Sequence, residues 1–293
     1  GFSGKFFADV DVILHPIESN QDNEMMCSRI GSLLSQNNYS RFPTMSCPGK
    51  IKLKLDKKRT IIQLLIQRLS KSKNIDKIVV ATSTNKEDKF LKKHLKNYNC
   101  EVFFGPSKNV LKRYYLVSKI FKTENIIRIT ADCPFIDPSI IDKVIEYHYL
   151  KKSDYTSNTL LKTYPNGQDV EIFKANTLSK AYKNAKTFYE KEHVTPFIKN
   201  NPKFRKINLK NRTNLSSLRM TLDYKTDFVI IKKLYNKLSV FKNSSTIDRF
   251  LAKCPEFRHV VRRAFIVEKF PYSEIQDNTI GKSIIPIDML RLK

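Results

Sequence analysis

From residue 60 onward, short β-branched runs alternate with segments of helical period, and this alternation restricts the chain to a largely parallel sheet covered by helices on both faces. Thr60 to Leu69 places Ile61, Leu64, Leu65, Arg68 and Leu69 at helical spacing. Lys77 to Thr82 (KIVVAT) then reads as a buried strand, Asn85 to Lys96 as a helix, and Glu101 to Phe104 as a second strand. Val110, Tyr114, Val117 and Phe121 mark one side of a further helix, and Asn125 to Thr130 (NIIRIT) is a strand running into Ala131-Asp132-Cys133-Pro134. Asp137-Pro138 supplies an N-cap followed by a first-turn proline, opening a helix through about Leu150.

Beyond about Tyr155 the rhythm changes. Extended pieces at Val170 to Phe173 and Ser217 to Leu222 flank helical stretches, and Pro165-Asn166-Gly167 is a turn, so residues 155–222 read as an arm inserted into the same domain. Thr226 to Leu238 and Thr246 to Lys253 close the order as helices. The expected division is a divergent N-terminal segment at 1–40, one domain at 41–260, and a tail at 261–293.

The chain has 293 residues, 41% of them hydrophobic, which suffices for a sizeable core. No stretch approaches the roughly 18 apolar residues of a membrane span, and Gly1 to Val12 lacks the apolar run of a secretory signal. Cys27, Cys47, Cys100, Cys133 and Cys254 are widely spread and odd in number, fitting neither a disulfide framework nor a zinc pattern. Reduced thiols and a cytoplasmic location are the expectation. The net charge of +26 attracts anions; it suits a nucleic-acid surface, but its spread along the whole chain favours compositional drift toward lysine and asparagine.

A carboxylate beyond the C-terminal end of a buried strand lies where open α/β sheets bind ligands, and Asp132 occupies such a position. Asp223 likewise ends an extended segment (LRMTLD). Two such groups from distant chain positions suit a metal clamp for phosphoryl or nucleotidyl transfer. Taken alone, Asp132 is equally a turn cap.

The runs "IDKIVVATSTNKED", "VLKRYY", "IIRITADCPFIDPSIIDKVIE", "DYTSNTLLKTYPNGQDVEIF", "KEHVTPFIKNNPKF", "LSSLRMTLDYKTDF" and "STIDRFLAKCPEF" resemble, in order and spacing, the spore-coat polysaccharide cytidylyltransferase family, related to the CMP-sialic acid and CMP-Kdo synthetases. The resemblance covers roughly residues 48 to 260. It implies a Rossmann-like nucleotide-diphospho-sugar transferase fold of GT-A type, mostly parallel with one antiparallel strand, and a homodimer formed through the arm. It implies CTP and a sugar as substrates, Mg2+ as cofactor, and release of pyrophosphate. By the same resemblance Asp132 and Asp223 hold Mg2+, and Asn109 and Arg113 lie near the nucleotide. Ser157, Asn158, Asp169, Glu171, Glu192, His193 and Arg219 line the sugar side. A helix-surface role for Arg113, a packing role for His193 and an ion-pair role for Arg219 compete with these assignments.

The family's opening loop, approximately Q-A-R-x-G-S-x-R-L-P-G-K, wraps the triphosphate with backbone donors and cations. Here its end survives as Pro48-Gly49-Lys50. Read without gaps, "YSRFPTMSCPGK" keeps Arg41 and Gly49 but places Pro43 and Ser46 where the family has glycine and a second arginine. A gapped register starts at Cys27-Ser28-Arg29-Ile30-Gly31-Ser32 and keeps Arg29, Gly31 and Ser32. That register ends at Arg41-Phe42-Pro43 or at Pro48-Gly49-Lys50. Lys50 is the cation expected from this loop on the phosphates, with a solvated surface lysine as the competing reading.

The function expected from these features is transfer of CMP from CTP to an acidic sugar for surface-glycan synthesis, with Lys50, Asp132 and Asp223 as the catalytic set. A general base for the sugar hydroxyl is not assignable from the sequence. The alternatives are a non-catalytic relative whose basic surface binds RNA or a large assembly, and a piece of a multifunctional sugar-pathway protein.

Overall fold

The computed structural model describes residues 49–240 together with the backbone of residues 6–11. Seven strands form one sheet: β1 Phe6–Asp11, β2 Lys77–Ser83, β3 Glu101–Gly105, β4 Asn125–Thr130, β5 Tyr155–Ser157, β6 Glu171–Lys174 and β7 Lys206–Asn208. Their order is β3-β2-β1-β4-β6-β5-β7. β1 runs parallel to β2 and β4, β2 to β3, and β5 to β7, while β6 is antiparallel to both β4 and β5. The expected single antiparallel strand is therefore β6.

One feature of the chain division is revised. The sequence places the domain's start near residue 41, yet β1 lies within the first 40 residues and occupies the middle of the sheet between β2 and β4. Residues 155–222 add β5, β6 and β7 to the same sheet.

β2 and β4 bury apolar side chains on both faces, which is why they read as continuous β-branched runs rather than alternating ones. On one face Val80, Ile127 and Ile129 pack against α1 (Ile61–Leu69), α2 (Phe90–His94) and α4 (Pro138–Lys151) through Leu65, Leu69, Leu91, Ile141 and Val144. On the other, Ile126, Tyr155 and Phe173 meet α3 (Val110–Ile120), α5 (Ala175–Asn184) and α7 (Pro196–Asn200) through Tyr114, Leu178 and Ile198. Each such fully buried aliphatic side chain contributes about 1.5–3 kcal/mol. α8 (Lys225–Val240) seals a third cluster, in which Ile231, Leu234 and Tyr235 cover Leu218, Met220 and Leu222. No helix among the described residues is long and apolar enough to cross a membrane.

Local signals set the helix starts. Thr60 and Gln63 form a capping box at α1, and Asp137 accepts the Ser139 N–H ahead of Pro138 at α4. The helix expected over residues 85–96 divides into a 3-10 turn at Lys86–Asp88 and the short α2. The division has a visible cause: the Asp88 carboxylate turns back to accept from Thr82 Oγ1, Ser83 N and Ser83 Oγ, and such local side-chain bonds compete with helix. Of the segment expected to be extended, Ser217 lies in a turn, and Arg219 joins Asn166 by an isolated bridge instead of entering the sheet. The helix expected at 246–253 and the tail lie outside the described residues.

Candidate active site

In parallel register, Asp11, Ala81 and Thr130 stand opposite one another at the carboxyl ends of β1, β2 and β4. Connections leave β1 toward β2 on one side, and β4 lies on the other, so the crevice between β1 and β4 is the topological switch point at which such sheets bind ligands. Asp132 follows β4 into this crevice. Its turn is fixed from several directions. Cys133 N–H donates to Thr130 O at 3.1 Å, Arg68 Nε to Ile136 O at 2.7 Å, and Leu222 N–H to Asp132 O at 2.8 Å. Buried Gln168 accepts from Asp137 N at 2.8 Å and donates to Phe135 O at 3.0 Å.

The Leu222–Asp132 bond brings Asp223 to the same place. Asp227, in the first turn of α8, accepts the N–H groups of Asp223 and Tyr224 at 2.8 and 2.9 Å, and this fixes the Asp223 backbone. Arg219 Nη2 donates to Asp223 Oδ2 at 2.6 Å and to Asp227 Oδ2 at 3.4 Å. Lys50 arrives from the opposite direction. Gly49 before it has φ of 66°, a left-handed conformation that glycine adopts without strain, and a 3-10 turn over Lys50–Lys52 follows. The Lys50 ammonium then lies 3.0 Å from Asp223 Oδ1 and 4.0 Å from Asp132 Oδ2.

Two carboxylates from distant chain positions thus meet around one ammonium. Burial opposes the charge on Lys50, but Asp132 and Asp223 outweigh it and hold its pKa above the ordinary lysine value. Burial likewise opposes ionisation of Asp223, and Lys50 with Arg219 reverse that, holding it below the usual carboxylate range. The two aspartates supply hard oxygen donors within reach of one cation. That suits Mg2+, which takes one or two protein carboxylates and completes its octahedron with phosphate oxygens and water. No group of three or more His, Cys, Asp or Glu side chains placed to hold a metal occurs among the described residues.

Beside the Asp132 turn lies a cavity of about 250 Å³ lined by Arg128, Thr130, Thr159, Lys162, Asp169, Glu171 and Lys199. Its two carboxylates differ sharply. Glu171 is bound by Arg128 Nη1 at 2.5 Å, Lys199 Nζ at 2.6 Å, Tyr155 Oη at 2.5 Å and Thr195 Oγ1 at 2.9 Å. Burial would raise its pKa, yet Arg128 and Lys199 hold it down to about 2. Burial pushes Asp169 up to about 6, with Lys162 pulling against and Asp132 and Glu171 adding to the push. Val194 positions the Thr195 and Lys199 donors: its φ of 66° and ψ of −54°, with Thr195 N–H donating to His193 O at 2.7 Å, make a γ-turn of the strained, positive-φ kind.

The structure separates the residues expected on the sugar side. Asp169 and Glu171 line the cavity. Ser157 and Asn158 do not; they are buried, with Ser157 Oγ donating to Val170 O, and Asn158 donating to Gln168 O and accepting from Val170 N. Arg219 belongs to the Asp223 cluster rather than to the cavity. Glu192 and His193 are also absent from the lining, and the exposed His193 ring packs against Tyr189 at 4.6 Å. Of the nucleotide set, Asn109 caps α3 through Lys112 N. Arg113 is buried rather than on the helix surface, donating to Ala81 O at 3.2 Å. Its stem lies over Gly105, where an added Cβ would fall 2.7 Å from Arg113 Cγ. Arg29, Gly31, Ser32 and Arg41 lie outside the described residues. The sequence reading missed Arg128, Lys162, Lys199, Gln168 and Asp227. Only Arg128 carried a signal, a cation inside an apolar strand.

The model of the cytidylyltransferase family matches residues 47–247, more than half of the chain. The chain belongs to the cytidylyltransferase family. It is 35% identical over 239 residues to the uncharacterized protein MJ1063 of Methanocaldococcus jannaschii, covering 78% of this chain and 93% of that one. It is 32% identical over 206 residues to the spore coat polysaccharide biosynthesis protein SpsF of Bacillus subtilis, covering 68% and 84%. Among solved structures, a cytidylyltransferase from Leptospira borgpetersenii superposes with a TM-score of 0.69 at 23% identity, covering 86% of this chain and 95% of that one. A CMP:2-keto-3-deoxy-manno-octonic acid synthetase complexed with CTP superposes with a TM-score of 0.51 at 10% identity, covering 80% and 99%. These two structures share the fold with this cytidylyltransferase, and the expected Rossmann-like architecture is the one found.

Proposed function

We propose that the protein transfers CMP from CTP to an acidic sugar, in a Mg2+-dependent reaction serving polysaccharide synthesis. The observation that carries this reading is the convergence of Lys50, Asp132 and Asp223 at the switch point of a cytidylyltransferase fold. The sugar's attacking oxygen forms a bond to the α-phosphorus, the bond from that phosphorus to the bridging oxygen breaks, and pyrophosphate departs with the electron pair. Mg2+ supplies Lewis-acid charge for the phosphate oxygens and would be held by Asp132 and Asp223. Lys50 remains protonated throughout the neutral range and places a second positive charge beside the departing pyrophosphate. The cavity gives the acceptor a seat next to Asp132, and its three cations, Arg128, Lys162 and Lys199, outnumber its two carboxylates, which favours an anionic sugar.

The expected homodimer belongs to this reading too. It is supported by the exposure of Phe188 and Tyr189 on α6 (Phe188–His193), 55% and 61% accessible within residues 155–222. The test of the central reading is CTP-dependent pyrophosphate release with Mg2+ and a panel of sugar acids. Release confined to CTP supports it, and equal release from UTP or ATP contradicts it.

A further inference from the structure

Nucleotidyl transfer to a hydroxyl leaves one proton to place, and few groups in the cavity are able to take it. Arg128, Lys162 and Lys199 offer donors and no acceptor, and the hydroxyls of Thr130 and Thr159 are weak bases. No histidine lines the cavity. Glu171 is surrounded by four donors and too acidic to accept a proton near neutrality. Asp169 is the carboxylate that is left. Among the described residues no side chain hydrogen-bonds or ion-pairs with it, and the Gly167 backbone N–H favours its ionised form.

We infer that Asp169 accepts the proton of the attacking sugar hydroxyl, held in the cavity wall beside the Asp132 turn by the clamped Pro165–Val170 loop.

The loop has the rigidity this role needs. Gln168 N–H closes the turn on Pro165 O at 3.1 Å, and Asn166 exchanges backbone hydrogen bonds with Leu218 and Met220, both 2.8 Å. Gly167 has φ of 95°, and a Cβ there would lie 2.8 Å from the Met220 carbonyl carbon. The residues on either side of Asp169 are fixed by Asn158, through Gln168 O at 2.6 Å and Val170 N at 2.9 Å. The same clamp ties Asp169 to the 218–222 segment that delivers Asp223. As the hydroxyl oxygen bonds to phosphorus, its proton passes to the Asp169 carboxylate, and solvent takes it after the product leaves. The charged groups facing Asp169 are Lys162, Asp132, Glu171 and, across the cavity, Arg128 and Lys199. The result is a base poised near neutral pH, where general base catalysis is most effective.

This assignment rests on the cytidylyl-transfer reading, and the experiment separates the two. Pyrophosphate release from CTP is measured for the parent, Asp169→Asn and Asp169→Glu, with Mg2+ and a panel of 2-keto-3-deoxy sugar acids as acceptor probes, alongside thermal melting at pH 8. The inference predicts that Asp169→Asn lowers kcat by about 100-fold or more while the Mg2+ concentration for half-maximal rate stays the same, and that Asp169→Glu recovers part of the loss. It also predicts that Asp169→Asn melts at a higher temperature than the parent. The raised pKa means that ionised Asp169 costs stability once pH rises through the range from its unfolded value to about 6, and asparagine removes that cost. A purely structural aspartate would give the opposite melting shift. An active Asp169→Asn variant, or one whose defect is relieved by more Mg2+, overturns the assignment alone; a parent inactive with every probe overturns it together with the cytidylyl reading.

Discussion

Two clusters of opposite charge lie within this site, and they are built for different ends. In the first, Lys50, Asp132 and Asp223 are partly open, with side chains 19%, 27% and 36% accessible. In the second, Glu171 is 5% accessible and tied to Arg128 and Lys199. The open cluster has carboxylate oxygens and an ammonium that an incoming triphosphate and its metal would engage. The closed cluster has used its acceptors, and its work is to aim two cations at the cavity wall. Residue type does not distinguish them: each is a carboxylate at a strand end, and only the partners decide which one binds a ligand.

The comparison is broken most severely at Asp132. Asp132→Asn is expected to lower kcat about 1,000-fold, in line with loss of one electrostatic contact at the reacting phosphate, while the melting temperature moves little because the side chain is partly exposed. A coupled pyrophosphate assay and a thermal melt check both halves. Removing the closed cluster's anion should do the reverse. Glu171→Ala leaves two cations without their buried partner and should cost about 3–5 kcal/mol of stability, read from urea unfolding, with the CTP response retained wherever the variant is folded.

The acid limb of stability sharpens the same contrast. Glu171 has a folded pKa of about 2, below its unfolded value, so its contribution is complete above the ordinary glutamate range and disappears as pH falls toward 2. Unfolding free energy measured from pH 5 to 2.5 should therefore fall in the parent, and less steeply in Glu171→Gln. Gly167→Ala forces a Cβ against the Met220 backbone at positive φ, and should cost about 1–3 kcal/mol and slow turnover by displacing Asp169. The smallest effect belongs to a helix cap. Asn109→Ala removes the α3 cap and should cost about 1 kcal/mol, as unfolding measurements would show.

The fold was legible wherever a short segment carries its own signal. β2 and β4 announce themselves because both faces are buried, and α4 because Asp137-Pro138 sets its start. β1 gave no such signal: FFADVD mixes charge with apolar residues, and only its parallel neighbours on both sides make it a strand. β5 and β7 are three residues each, too short for periodicity to register. Asp132 and Asp223 were readable as carboxylates ending extended segments, but their meeting at Lys50 depends on the Leu222–Asp132 backbone bond, which no local pattern encodes. The sugar-side residues divided for the same reason. Asn158 and Asp169 are eleven positions apart in one motif, yet one is consumed in pinning the loop that presents the other.

The measurement closest to the central claim is calorimetric titration of CTP into the parent and into Asp132→Asn and Asp223→Asn, each with and without Mg2+, at an ionic strength that screens the +26 charge. The account predicts CTP binding by the parent that tightens with Mg2+, and loss of that Mg2+ dependence in both variants. Binding of equal strength with and without Mg2+ in all three proteins would contradict it.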